Sequence, residues 1–134
     1  MKIDGQCHCG HISFEAELDP EKVGICHCTD CQNMSGSAFR TLAIVDAATF
    51  NLLSGALKTY IKTGDSGNRR TQTFCPECGT PIFAAAADEN PKIMNVRLGT
   101  IRQRGQLAPK VQYWSRSALE WLGDMPEIPK HDKQ

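Results

Sequence analysis

Alternating hydrophobic and polar residues predict that most of this chain is β-structure. Ile12, Phe14, Ala16 and Leu18 alternate with polar residues, which is the period of a strand with one buried face. We expect this strand to end at Asp19-Pro20, because an Asp-Pro pair favours a turn. Similar patterns predict further strands at 39–45, 70–74, 82–86, 93–98 and 111–113.

Two segments in the middle of the chain predict connections between strands. Residues 46–50 are expected to form one helical turn, with the Asp46 side chain capping its first amide groups. Gly55 separates the hydrophobic segments 50–53 and 57–61, which predicts a β-hairpin. Polar loops are predicted at 63–68 and 88–91.

Helix is predicted only near the carboxyl terminus. Ser117 and Glu120 have the spacing of a capping box before a short hydrophobic segment, and Gly123 is expected to end that helix. Residues 126–134 are rich in proline and charge and are expected to be an irregular tail. The pattern therefore predicts an all-β fold with little helix, in a single domain of residues 1–134.

Length and composition limit the classes of protein to which the chain can belong. At 134 residues it is long enough for one domain that buries roughly two-thirds of its unfolded surface. Lys+Arg and Asp+Glu are both 15, so no basic excess predicts binding to nucleic acid or to an anionic membrane surface. No hydrophobic segment approaches the ~20 residues of a membrane span. The first residues lack the pattern of a signal peptide, so we expect a cytoplasmic protein.

Seven cysteines in three short clusters are the strongest chemical signal. The clusters are Cys7 with Cys9, then Cys26 with Cys28 and Cys31, then Cys75 with Cys78. In a reducing compartment, clustered cysteines bind metal or take part in catalysis more often than they form disulfides. An odd number of cysteines would also leave a disulfide scheme with one unpaired thiol.

The first and last clusters together predict a closed, structural zinc site. Cys75 and Cys78 are separated by two residues, so a tight turn can bring both sulfur atoms to one ion, and Gly79 suits the left-handed conformation that follows. Cys7 and Cys9 are two residues apart, so on a strand they would share a face. Four thiolates complete the tetrahedral coordination of structural zinc. The alternative is that one of the two pairs is a pair of free thiols.

The middle cluster supplies three ligands and leaves the fourth position to water or a substrate. Catalytic zinc keeps such a position open, so Cys26, Cys28 and Cys31 predict a second, catalytic zinc ion. His27 lies between two of the ligands and on a strand would point to the opposite face. The alternative is a second structural site that a distant histidine or aspartate closes.

An open zinc site with three cysteines is suited to binding an incoming thiol. Three thiolates leave the site with a net negative charge, so the ion is a weaker Lewis acid than zinc held by three histidines. A thiol that coordinates the metal is deprotonated, whereas a free thiol with a pKa near 8.5 is mostly protonated at pH 7. The site therefore predicts addition of a thiol to a small electrophile, or the reverse elimination.

Several residues outside the cysteine clusters are candidates for substrate contacts. The segment 32–37 either offers backbone N–H groups to a substrate or forms an ordinary turn. Trp114 and Trp121 are expected in the core or at an interface, and Asp30 is expected to accept a local backbone hydrogen bond. Four arginines can pair with substrate carboxylates, although each is individually expected to be a solvated surface residue: Arg40, Arg69, Arg70 and Arg97.

The motifs resemble those of the glutathione-dependent formaldehyde-activating enzyme family, whose members are carbon–sulfur lyases. They extend over nearly the whole chain and are Cys7-x-Cys9-Gly10, Cys26-His27-Cys28-x-x-Cys31, Ser35-Gly36, Phe74-Cys75-x-x-Cys78-Gly79-Thr80 and the segment around Trp114 and Trp121. The resemblance implies an all-β, tent-like fold of twisted antiparallel sheets. It also implies structural zinc on Cys7, Cys9, Cys75 and Cys78, and catalytic zinc on Cys26, Cys28 and Cys31.

The resemblance implies a function as well, because the family joins formaldehyde to glutathione. We therefore expect a zinc-dependent carbon–sulfur lyase that adds a thiol, glutathione, reversibly to formaldehyde or a similar small aldehyde. The alternative is a non-enzymatic, zinc-stabilised binding module, which requires two closed sites and no zinc-linked thiol binding. A nucleic-acid zinc ribbon fits poorly, because 43 residues separate Cys31 from Cys75.

Overall fold

The computed structural model describes all 134 residues and consists mostly of antiparallel strands. The nine strands are β1 (Lys2–Gln6), β2 (Ser13–Cys26), β3 (Arg40–Asp46), β4 (Asn51–Ser54), β5 (Lys58–Thr63), β6 (Arg69–Phe74), β7 (Pro81–Ala86), β8 (Ile93–Arg97) and β9 (Val111–Tyr113). The α-helix α1 (Thr29–Ser35) follows β2. Short 3₁₀-helices lie at Ala47–Thr49, Leu98–Thr100, Arg102–Gln106, Ser115–Ser117 and Glu120–Glu127. The prediction of an all-β fold with little helix is thus confirmed.

The long strand β2 belongs to two sheets and gives the fold its tent-like form. Its first half pairs with β1 on one side and β4 on the other. Its last residues pair with β3 and, in parallel, with β9. The predicted end of this strand at Asp19-Pro20 is wrong. The register shifts between Leu18 and Val23, so Pro20 lies where no ladder hydrogen bond is required of it.

The larger sheet continues from β2 through β3, β8, β7 and β6 to β5. The hairpin predicted around Gly55 is wrong, because β4 pairs with β2 whereas β5 pairs with β6. Gly55 has a φ of 86°, and a Cβ atom there would collide with the carbonyl oxygen of His11. The glycine therefore serves a close approach between two backbone segments and not a hairpin turn.

The helix α1 was not expected from the sequence. Cys28 is its N-cap residue and its sulfur accepts a hydrogen bond from the Cys31 amide, while Gly36, with a φ of 62°, ends the helix. No residue of α1 is buried, so the segment lacks the hydrophobic period by which helices are recognised. No helix in the structure has the length and apolar character needed to cross a bilayer.

The 3₁₀-helices confirm one prediction and overturn another. Ala47–Thr49 forms the expected turn, and the Asp46 carboxylate accepts a hydrogen bond from the Ala48 amide at 2.9 Å. The predicted capping box near the carboxyl terminus is wrong, because the helix Glu120–Glu127 makes no side-chain cap and contains Gly123 in its interior. That helix extends past residue 126, and residues 129–134 have no regular structure.

The hydrophobic core combines side chains of both sheets with the segment after β8. Phe14, on the predicted buried face of β2, stacks on Phe50 at a centroid distance of 5.2 Å, and Phe50 contacts Phe83 at the same distance. Cys7 and Cys75 belong to this core and are 1% and 0% exposed. Two of the seven thiols are therefore held in place by apolar packing.

Candidate functional site

Four cysteines from the first and last clusters lie together beside the core. Cys7 and Cys9 lie in a turn after β1, and not on the strand that we expected, while Cys75 and Cys78 occupy the turn between β6 and β7. All four sulfur atoms lie within 4.8 Å of one another. The Cys7–Cys9 and Cys9–Cys75 sulfur distances are 3.6 and 3.9 Å. The structure thus brings together the same four residues that the sequence grouped.

Hydrogen-bond donors surround the sulfur atoms of this four-cysteine group. The Ile12 amide donates to Cys7 Sγ at 3.2 Å, and Thr80 Oγ1 lies 3.1 Å from Cys78 Sγ. The Thr80 hydroxyl lowers the pKa of Cys78 to about 5, because a donated hydrogen bond favours the thiolate. Gly79 has a φ of 77°, which is the left-handed conformation predicted for it.

The remaining three cysteines form a second group at the junction of β2 and α1. Cys26 ends β2, Cys28 caps α1 and Cys31 lies in its first turn. Their sulfur atoms also lie within 4.8 Å of one another, and the Cys31 amide donates to Cys28 Sγ at 3.3 Å. No histidine, aspartate or glutamate joins this three-cysteine group. The protein therefore offers three ligands here.

The two polar residues between these cysteines have partners elsewhere. The His27 ring is buried against Phe39, and its Nε2 lies 2.7 Å from Gln112 Oε1. The Asp30 carboxylate accepts a hydrogen bond from Lys62 Nζ at 2.8 Å, instead of the local backbone bond that we expected. Neither side chain is placed as a fourth ligand.

One thiol of the three-cysteine group has a strongly lowered pKa. The neighbouring Cys31 thiol, within 4.8 Å, lowers the pKa of Cys26 to about 5 against the opposing effect of burial. The same interaction raises the pKa of Cys31. Metal ligation requires thiolates. The metal-free group therefore already presents one ligand in its binding form at neutral pH.

The donor atoms of both groups, and two sulfur–sulfur distances of the four-cysteine group, fit zinc. Zinc–sulfur bonds are about 2.3 Å long, so two sulfur atoms of a tetrahedral site lie about 3.8 Å apart. The Cys7–Cys9 and Cys9–Cys75 distances of 3.6 and 3.9 Å agree with this geometry. Thiolates are soft ligands that select zinc over magnesium or calcium. Both groups can hold a metal ion, which fits two ions per chain.

The three-cysteine group opens into a cavity of about 510 Å³ on one face of the larger sheet. Residues paired directly across neighbouring antiparallel strands project from the same face. The register pairs Cys26 with Arg40, and Leu42 with Arg97, so all four project to the cavity side. The other lining residues are Asp30, Met34, Ile44, Lys62, Arg70, Gln72, Ala84, Ile93, Asn95, Tyr113, Trp114 and the remaining cysteines of the group, Cys28 and Cys31.

The cavity is strongly basic. Four cationic side chains and a single acidic one line it, namely Arg40, Lys62, Arg70, Arg97 and Asp30. Arg40 and Arg97 are buried, so the expectation that they are solvated surface residues is wrong. Burial lowers the pKa of both, that of Arg97 to about 9, and both remain charged at neutral pH. The cavity therefore favours anionic ligands.

Two aromatic residues stand at the edge of the cavity. Tyr113 is paired with Cys26 in the parallel ladder, and Trp114 follows it with a φ of 55°. Positive φ is strained for an aromatic residue. Trp114 and Trp121 are 56% and 50% exposed, so neither lies in the hydrophobic core. The segment 32–37 forms the end of α1 and its cap, and its Met34 lines the cavity.

Lys62, Gln72 and Tyr113 are among the lining residues that were not singled out from the sequence. Each lies on a strand, and strand alternation alone places it on one of two faces. Which face meets the cysteines depends on the pairing of β9 with the distant strand β2, and on the order in which β8 and β7 connect β3 to β6 and β5. Local sequence carries no signal for that pairing.

The fold is a twisted antiparallel sheet structure that carries one group of four cysteines and, in a basic cavity, one group of three. Both groups could hold a metal ion through cysteine ligands. The model of the family of glutathione-dependent formaldehyde-activating enzymes matches residues 2–117, and the chain belongs to this family.

One curated protein and one solved structure are also similar to this chain. An uncharacterized lyase of Schizosaccharomyces pombe is 26% identical over 98 residues, which cover 72% of this chain and 68% of the yeast protein. The crystal structure of a Rhodobacter sphaeroides protein is similar with a TM-score of 0.62 and 21% identity, over 81% of this chain and 98% of that one. At that identity the second likeness shows the fold alone.

Proposed function

We propose that this protein is a zinc-dependent carbon–sulfur lyase that adds glutathione to formaldehyde, or to a similar small aldehyde, and catalyses the reverse elimination. Membership of the family and the name of the yeast relative support a formaldehyde-activating lyase. The observation that carries the proposal is the position of the three-cysteine group, which lines the basic cavity, whereas no member of the four-cysteine group does.

In this proposal the two groups hold zinc for different purposes. The four-cysteine group, Cys7, Cys9, Cys75 and Cys78, holds a structural ion that links the turn after β1 to the turn between β6 and β7. The three-cysteine group, Cys26, Cys28 and Cys31, holds the catalytic ion. When bound there, zinc supplies a position at which a thiol binds as its thiolate at neutral pH.

The cavity residues act on the charge of the reactants. The reaction joins the thiol sulfur to the carbonyl carbon and moves the thiol proton to the carbonyl oxygen, so it needs no oxidant or reductant. Cationic side chains stabilise the thiolate relative to the thiol, and they attract a peptide thiol whose two carboxylates outnumber its ammonium group. Lys62, which is paired with Asp30, lines the same cavity, and its charge contributes to the lowered pKa of Cys26.

The alternative, a non-enzymatic binding module, requires a fourth protein ligand at the three-cysteine group. His27 and Asp30 are the nearest candidates in the sequence, and neither lies with the three sulfur atoms. His27 Nε2 lies 2.7 Å from Gln112 Oε1, and Asp30 is paired with Lys62. This observation favours the lyase. The seven free thiols suit a reducing compartment, so the proposal places the protein in the cytoplasm.

Calorimetric titration of the zinc-loaded protein with glutathione tests the proposal. Repeating the titration in buffers of different ionisation enthalpy measures proton release, and we expect about one proton per bound thiol. Formaldehyde added to the complex should then give S-hydroxymethylglutathione faster than the uncatalysed reaction does. Glutathione binding without proton release, with two zinc ions present per chain, would contradict the proposal.

A further inference from the structure

Two buried arginines in the floor of the cavity share one neutral partner. Arg40 and Arg97 are 5% and 8% exposed, and Gln72 between them is 8% exposed. Gln72 Oε1 accepts hydrogen bonds from Arg40 Nη1 at 3.4 Å and from Arg97 Nη2 at 2.9 Å. Neither arginine belongs to any ion pair of the structure. Arg97 Nε is also buried and has no hydrogen-bond partner.

This arrangement lacks a counter-charge. Burying a cation is costly unless an anion and hydrogen bonds offset the lost hydration, and two neighbouring cations add their mutual repulsion. The amide oxygen of Gln72 is neutral and cannot balance two guanidinium groups. The neighbouring anionic groups are the thiolates of the three-cysteine group, since Cys26 lies opposite Arg40. With a zinc ion bound, the three thiolates leave one net negative charge against two guanidinium groups. An external anion would balance the positive charge that remains.

We propose that Arg40, Gln72 and Arg97 form a carboxylate subsite that fixes one carboxylate of a substrate beside the three-cysteine group. The inference rests on the proposed function and specifies its substrate class. A guanidinium group fits a carboxylate through two parallel hydrogen bonds. Arg97 lines the cavity, and its buried Nε has no hydrogen-bond partner. Arg40 lies directly opposite Cys26 on the neighbouring strand, at a Cα separation of about 5 Å.

The carboxylate can come from either reactant. Formaldehyde has none, so with formaldehyde the thiol must supply it, as glutathione can. A carboxylate-bearing aldehyde such as glyoxylate would bring the anion on the electrophile instead. The other two cations of the cavity are less suited to this task, since Lys62 is already paired with Asp30 and Arg70 is partly solvated.

The substitution Gln72→Glu tests the subsite most sharply. It preserves the shape of the side chain and places a carboxylate where both arginines already donate, so the protein itself supplies the missing anion. Two probes are titrated calorimetrically into the zinc-loaded protein: S-methylglutathione, which keeps both carboxylates but has no free thiol, and glyoxylate. We expect one probe to bind the wild type and to bind Gln72→Glu at least about thirtyfold more weakly.

The probe that loses affinity identifies the reactant that carries the carboxylate. Arg69→Gln is the matched control, because Arg69 lies on the same strand, is exposed and does not line the cavity. We expect it to bind both probes as the wild type does. Gln72→Glu should also melt at or above the wild-type temperature, because the new carboxylate pairs with buried cations. If that variant does not fold, Arg97→Lys is the second test. It keeps the charge, removes the two parallel guanidinium donors and should weaken binding of the same probe.

The subsite is overturned if neither probe binds at millimolar concentration, or if a probe binds wild type and Gln72→Glu equally well. These outcomes are separate from those of the proposed function. S-methylglutathione cannot release a thiol proton, so its binding does not depend on thiolate formation at the metal. Weakened binding of this probe by Gln72→Glu, together with no proton release from glutathione, would support the subsite and reject the lyase.

Discussion

The two cysteine groups differ in solvent exposure and in ligand number. The more exposed group has the complete set of four ligands, and the less exposed group has three. The four-cysteine group has two exposed thiols, Cys9 and Cys78, and lies near the surface. The three-cysteine group has no exposed thiol and lies at the wall of a cavity. The number of ligands, and not the burial, decides which group can accept a substrate. A solvated site with four thiolates is closed, whereas a sheltered site with three is open.

The same short motif serves both groups. Cys-His-Cys occurs at 7–9 and at 26–28, but the first copy forms a turn after β1 and the second spans the end of β2 and the cap of α1. The turn between β6 and β7 adds two thiols, Cys75 and Cys78, to the first copy. Cys31, three residues after the second copy, adds one thiol to it. The partner segment therefore determines the role of the motif.

The largest effect is expected from the four-cysteine group. Cys75 is fully buried in the core, and a structural zinc ion contributes about 10 kcal/mol or more to folding, as much as the whole stability of a typical domain. Cys75→Ser should therefore abolish cooperative unfolding and leave fewer than two zinc ions per chain. Circular dichroism melting and zinc analysis measure this. A cooperative transition near the wild-type temperature would show that this group is not needed for folding.

Cys31→Ser should leave the fold largely intact and abolish the activity. Cys31 is partly exposed and lies on a helix without buried residues, so its loss should lower the melting temperature by no more than about 5 °C. Thiol addition to formaldehyde should fall to the uncatalysed rate, because the variant has two thiolates at the reaction site. The two melting curves and the two rates are measured side by side. Loss of folding in Cys31→Ser would mean that both groups are structural.

The pH dependence should separate the groups when zinc fills only the four-cysteine group. The pKa of Cys26 is lowered from 9.0 to about 5, so the stability that its thiolate contributes is complete above pH 9. This contribution decreases as the pH falls and is lost below about pH 5. Thiolate absorbance should show one group titrating near pH 5, and Cys26→Ser should remove that step. A single titration near pH 9 would contradict the coupling between Cys26 and Cys31.

The smallest effect is expected from Lys62, which has no counterpart at the four-cysteine group. Its ion pair with Asp30 is partly exposed, 21% and 52% for the two side chains, so Lys62→Ala should change the stability by less than about 1 kcal/mol. The KM for glutathione should rise by roughly two- to fivefold and depend less on salt, because a cation at the edge of the cavity is lost. Lys110→Ala, which breaks the exposed pair with Glu21 away from the cavity, is the control. An equal rise of KM in both variants would show that Lys62 has no specific role in glutathione binding.

Local features of the fold were predictable from the sequence, and features that depend on pairing between distant strands were not. The Asp46 cap and the left-handed Gly79 follow from the chemistry of a few adjacent residues. The division of the cysteines followed from ligand number. By contrast, Gly55 has the sequence signature of a hairpin but connects strands that pair elsewhere.

The basic floor of the cavity shows why the remaining features could not be predicted from the sequence. Several strands of the larger sheet lie between Arg40 and Arg97 in the sequence. Only the register of β3 with β2 and β8 brings the two arginines to the same face as Cys26. A buried arginine without a carboxylate is rare, so a surface position was the reasonable expectation for each. The helix α1 was missed for a related reason. Seven residues are too few to form a stable helix alone, and this one is capped by a sulfur atom of the site.

Cadmium NMR spectroscopy of protein in which cadmium replaces both zinc ions tests the central claim most directly. Cadmium is soft like zinc and reports the number of sulfur ligands through its chemical shift. The account predicts two signals, one typical of four sulfur ligands and one of three sulfur ligands with an oxygen, and glutathione should move only the second toward the first. Two signals that are both typical of four sulfur ligands before glutathione is added, and that do not move when it is added, would contradict the account.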